Sequence, residues 1–145
     1  MLVRFLVLVI LLNVVRYLVA GFVEQMLILP HLFGAMAESQ DYFQTEFRTL
    51  DWVTSYLYNF AMWAVAAWVF HRLRPVLRGG DVVASFKSFG AMWLMFAAVS
   101  AIYMNHYSHP PDFYIWNIAD AVIAFGTVAL ANGLLYSRVM GLKRS

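Results

Sequence analysis

The chain contains no cysteine. That excludes disulfides, thiolate metal sites, cysteine nucleophiles and lipid attachment at cysteine. Charge is scarce as well, at 12% of 145 residues. Ordinary soluble domains carry about twice that fraction. No internal repeat and no low-complexity segment breaks the pattern. What fills the space is apolar: 63% of residues are hydrophobic, 17% are aromatic, and the mean hydropathy is +0.69. A membrane-spanning helix needs about 20 mostly apolar residues. Four such helices with their loops use up the chain, so the expected fold is all-α: a single transmembrane domain, 1–145, built as a bundle of about four spans.

The runs lie at about 5–23, 53–70, 86–103 and 113–136. Arg4, the stretch His71-Arg72-Leu73-Arg74-Pro75-Val76-Leu77-Arg78, Lys87, Arg138, Lys143 and Arg144 gather the basic residues at one set of ends. The positive-inside bias makes those ends cytoplasmic, with both termini inside. It also accounts for the net charge of +2 without a nucleic-acid partner. The first run is too long for a signal-peptide core and is interrupted by Asn13 and Arg16, so retention is expected. The segment 24–51 reads as an outer loop, rich in acids and broken early by Pro30 and Gly34. Within it, Gln40 to Leu50 is either a short amphipathic helix presenting Phe43, Phe47 and Leu50, or plain acidic loop. Trp52, Tyr56, Tyr58 and Phe60 crowd the start of the second run, as interfacial aromatics do. Gly90, Ala97, Ala98, Ser100 and Ala101 suit close helix approach in the third. Trp63, Trp68 and Trp93 lie within runs, where lipid-facing packing is the plain expectation.

Asp120 is the residue around which function is expected to turn. It sits about two helical turns inside the last run, where a carboxylate marks a site or a buried pairing rather than a lipid-facing surface. Asn117, Asp120, Ala121, Ala124, Val128 and Ala131 share one helical face turned toward other helices. Arg16, near the middle of the first run, lies at a height that allows a structural pair with Asp120. The functional alternative is a carboxyl that handles protons.

The stretch Trp116-Asn117-Ile118-Ala119-Asp120-Ala121-Val122-Ile123-Ala124-Phe125-Gly126 resembles the last motif of the lipoprotein signal peptidases, the type II signal peptidases of bacteria. Their pattern there is an aromatic residue, Asn, any residue, Ala and Asp, then a small-residue helix. The resemblance implies a four-span protein of the bacterial inner membrane, with Asp120 as a catalytic aspartate and Asn117 supporting it. Asn13 and Arg16 stand roughly where the family has an Asp and a Lys. The family's first catalytic Asp follows a Gly-Asn pair at the end of the third helix. Here that region reads Ser100-Ala101-Ile102-Tyr103-Met104-Asn105-His106, with no Asp. Asn105 takes the nearest place, and Asp112 is the only other acid close in sequence. The family's Asn-Thr-Gly signature is absent, with Tyr58-Asn59-Phe60-Ala61 a weak echo. An aspartyl dyad needs two carboxyls sharing a proton, and Asn105 cannot supply one.

The expectation is therefore a non-catalytic relative that packs against lipids and other transmembrane helices as an accessory subunit. The runner-up is an active peptidase that takes a lipoprotein signal helix, using Asp120 with Asp112 or a displaced partner. No cofactor is expected. A third reading is a metal site from His106, His109 and Asp112, with His31 joining from the other outer loop; Pro110 and Pro111 oppose a helix that would align them.

Overall fold

A computed structural model describes residues 1–43, 46 and 48–142. The described residues form helices joined by short turns, with no strand among them. Four stretches are long and apolar enough to cross a membrane: Leu2–Leu27, Thr49–Leu73, Asp81–His106 and Pro111–Met140. The all-helical, four-span bundle expected from hydropathy is what the chain forms.

The first span is composite. An α-helix, α1 (Leu2–Val15), passes into a π-helical turn (Arg16–Ala20) and resumes as α2 (Gly21–Leu27). After a break at Ile28, α3 (Leu29–Ala37) follows, with Pro30 in its first turn. Proline is tolerated there because a first-turn N–H has no intrahelical acceptor. Pro30 therefore opens a helix where it was expected to break one, and Gly34 lies inside that helix. The expected outer loop 24–51 is correspondingly short on loop. Of the stretch Gln40 to Leu50 considered for an amphipathic helix, the described residues show a single 3-10 turn at Gln40–Tyr42, Phe43 in a bend and Leu50 already in the first turn of the next span. Phe47, Lys143 and Arg144 lie outside the described residues.

The remaining spans are α4 (Thr49–Leu73), α5 (Asp81–His106) and α6 (Pro111–Met140). Each extends several residues beyond its hydrophobic run, because polar interfacial residues continue the backbone ladder. Asp51 accepts from the Arg48 N–H at 2.8 Å and so caps α4. Pro111 opens α6, and Gly141, with φ of 70°, closes it in the left-handed conformation that glycine adopts freely.

Helix α6 is central, packed along α5 on one side and α1 on the other, while α4 bridges α1 and α5. Buried Ala121, Ala124, Val128 and Ala131 bear out the expected inward face of α6. The core holds Leu8, Leu12, Trp63, Phe70, Phe89 and Val128, all fully buried. Trp63 meets Phe125 edge-on at 5.1 Å, and Phe70 meets Tyr136 at 4.8 Å. Trp63 is thus a core residue, contrary to the lipid-facing expectation, whereas Trp68 is exposed. Large apolar side chains such as Ile10, Leu18, Leu57, Leu94 and Val122 cover the outside. That surface suits lipid tails; a water-soluble monomer rarely exposes so much.

Both ends of the described chain meet at one end of the bundle, where Arg4 donates to the Met140 carbonyl at 3.0 Å. This basic end also carries the α4–α5 turn. Arg74 organises that turn by donating to Asp81 at 2.6 Å and to the carbonyls of Leu77 and Gly79. Ser137 donates to the second oxygen of Asp81, which pins the turn to α6.

Candidate functional site

The site lies toward the opposite, far end, where α1, the π turn, α2 and α6 come together. Its geometry begins with winding. Eight residues of α-helix turn through about 800°, leaving side chains at i and i+8 about 80° apart. The π turn closes i+5 hydrogen bonds, such as Gly21 N–H to the Arg16 carbonyl, and rotates less per residue. Much of the 80° disappears. Arg16 and Glu24 come onto one face, and Arg16 Nη1 donates to Glu24 Oε2 at 2.7 Å. Glu24 leans back toward the helix N-terminus, as helical side chains do, and the long Arg16 side chain covers the remaining rise. Both are largely enclosed, with side-chain exposures of 14% and 7%.

Asp120 joins them from α6. Nine residues separate it from the start of the helix, about 13 Å along the axis. It is half-buried, and its Oδ1 is buried without a hydrogen-bond partner. The helix that carries it packs against the π turn and α2, which carry Arg16 and Glu24. In this triad Arg16 pairs with Glu24 and not, as expected, with Asp120: no ion pair or hydrogen bond joins Arg16 to Asp120. Glu24, expected in the outer loop because a charged residue commonly ends a span, lies instead inside α2. A period of 3.6 carried through Arg16 gives no sign that it turns inward. Two carboxylates and one guanidinium leave a formal charge of −1. Several polar atoms here are unsatisfied: Glu24 Oε1, Arg16 Nε, Asp120 Oδ1 and, one turn earlier, Asn13 Oδ1. Asn13 spends its amide on the Val9 carbonyl at 2.9 Å.

Other expected site residues stand apart. Asp112 is exposed in the first turn of α6, eight residues and about 12 Å along the axis from Asp120. The chain does not fold back there, because the helix has already begun. Asn105 is exposed in the last turn of α5. Asn117 is half-buried one turn above Asp120.

The histidines have separate tasks. His106 Nδ1 donates to the Ile102 carbonyl of its own helix at 2.8 Å. His109 bonds the Tyr114 hydroxyl at 2.7 Å, within an aromatic group that includes Tyr42, Phe43 and Phe113. His31 stacks on Trp116 with ring centroids 4.2 Å apart. Among the described residues no three His, Cys, Asp or Glu side chains gather in a set able to hold a metal ion, so His106, His109 and Asp112 do not form the metal site considered above.

Compared with protein-family models, with curated proteins and with solved structures, the chain matches none.

Proposed function

We propose that this protein is a non-catalytic subunit of a membrane complex, joined to a partner's transmembrane helix through Arg16, Glu24 and Asp120. One observation carries the reading: the guanidinium of Arg16 is taken by Glu24, and a buried oxygen of Asp120, on the helix packed against them, is left with no hydrogen-bond partner. An uncompensated charge at that depth costs at least a few kcal/mol. A hydrogen-bond donor or cation on a neighbouring helix completes the set, and polar side chains do join helices inside bilayers. The half-exposed Asp120 is the member a neighbour can reach. Peptide hydrolysis fits less well. Its dyad shares a proton between two carboxyls, but Glu24 is engaged by Arg16, and Asp112 lies two turns away at an exposed end. With the basic end in the cytoplasm, the triad belongs to the outer half of a bacterial inner membrane.

The test is co-purification of the tagged chain from native membranes in mild detergent. The wild-type chain is expected to bring a partner in fixed ratio, and Asp120→Ala to lose it while remaining folded. If both run as lone monomers, the reading fails.

A second reading rests on Glu24 and Asp120 lying on α2 and α6, helices that pack together. It is an aspartyl-type intramembrane peptidase with Glu24 as the displaced partner, acting on lipoprotein signal peptides. Cleavage of a lipid-modified prolipoprotein by the purified chain, abolished in Asp120→Asn, would establish it in place of the first.

A further inference from the structure

Two cavities adjoin at the basic end, and the same two residues line both. The larger, about 710 Å³, is bordered by His71, Arg72, Arg74, Asp81, Tyr136 and Ser137. The smaller, about 280 Å³, lies between the start of α1 and the end of α4, with Leu2, Phe5 and Trp68 in its wall. His71 and Arg72 belong to each. A polar chamber therefore opens beside an apolar slot at the level where the spans end.

The charges in the chamber are not equivalent. Asp81 is taken by Arg74 and Ser137, and Arg74 by Asp81 and two carbonyls. These groups hold the turn and have little left for a ligand. Arg72 is exposed and makes no ion pair or hydrogen bond among the described residues. His71 gives Nδ1 to the Tyr136 hydroxyl at 2.7 Å, leaving Nε2 uncommitted. The spare charge at the junction is thus positive, on a guanidinium suited to bidentate phosphate contact.

We infer that these cavities form a binding site for an anionic phospholipid of the adjacent leaflet. The phosphate sits in the chamber against Arg72 and His71, and one acyl chain lies in the slot along Phe5 and Trp68. Basic pockets between helices at the cytoplasmic face suit such headgroups. The chamber alone would suit a free phosphate, but the apolar slot beside Arg72 selects an amphiphile. This inference uses the end of the bundle remote from the triad and does not depend on the reading of Asp120.

The full-length protein, purified in a zwitterionic detergent, is titrated with phosphatidylglycerol, with phosphatidylcholine of the same acyl chains, and with inorganic phosphate. Native mass spectrometry counts bound lipid, and thermal melting reports stabilisation. Phosphatidylglycerol is expected to bind in one-to-one ratio and to raise the melting temperature, with phosphatidylcholine about tenfold weaker. Arg72→Gln lowers phosphatidylglycerol affinity about tenfold, Arg72→Lys lowers it less, and Arg138→Gln, which removes a charge lining neither cavity, leaves it unchanged. Equal binding of the two lipids, or equal losses in Arg72→Gln and Arg138→Gln, overturns the inference. So does inorganic phosphate displacing the lipid at concentrations that match its affinity, which would assign the chamber to the free ion.

Discussion

Gly133 of α6 lies against the backbone of Val82 at the start of α5. A Cβ on residue 133 would stand 2.5 Å from Val82 Cα and 3.0 Å from its nitrogen. Backbone cannot give way as a flexible side-chain end can, so α5 must move. Gly133→Ala is expected to cost about 1–3 kcal/mol, the usual range for overpacking. Gly126→Ala is the control, since a Cβ there meets nothing within 4 Å and gains helix propensity. Unfolding of both variants in mixed detergent micelles checks the pair.

The Trp63 side chain is fully buried, and its Nε1 has no hydrogen-bond partner. Trp63→Ala is expected to cost about 3–5 kcal/mol through the cavity it leaves. Trp63→Phe keeps much of the packing and removes an unsatisfied donor, so its cost should be well below that of Ala. Trp68→Ala, on the exposed side, should change stability by under about 1 kcal/mol. The same unfolding assay ranks the three.

Breaking a buried ion pair from one side strands the other charge. Arg16→Met and Glu24→Gln are each expected to destabilise by about 3–5 kcal/mol. The double variant should lose clearly less than the sum, and the double-mutant cycle measures that coupling. Strict additivity would show that the 2.7 Å contact contributes nothing.

The π turn makes a separate prediction. Deleting the exposed Leu18 removes one residue from the wide turn and lets α winding resume. Arg16 and Glu24 then stand seven residues apart, about 700° of α winding, and stay within about 20° of one face. The deletion alone should therefore cost much less than Glu24→Gln, and adding Glu24→Gln to it should cost about as much as in the intact chain. A deletion as damaging as Glu24→Gln, with no further loss on combining the two, would mean that the wide turn itself is what holds the pair together.

The spans were legible because hydropathy alone reports them, and the depth of Asp120 followed from its distance to the start of the last run. The inward face of α6 was legible too, since its small residues recur with helical period. The company Asp120 keeps was not. Glu24 looked like a boundary because a charge usually ends a span, and only a change of winding explains why it stays inside. Pro30 was read as a breaker because its role depends on whether it falls in the first turn. The contact at Gly133 was invisible for another reason: close approach depends on which helices become neighbours, and Gly133 resembles Gly126 in sequence.

The ion pair within the first span bears on how the protein is made. Arg16 and Glu24 reach the membrane together, long before α6 is synthesised, since chains emerge from the N-terminus. Had Arg16 depended on Asp120, a bare cation would have waited in lipid through most of translation. As built, the leading helix brings its own counterion, and the last helix can arrive at leisure.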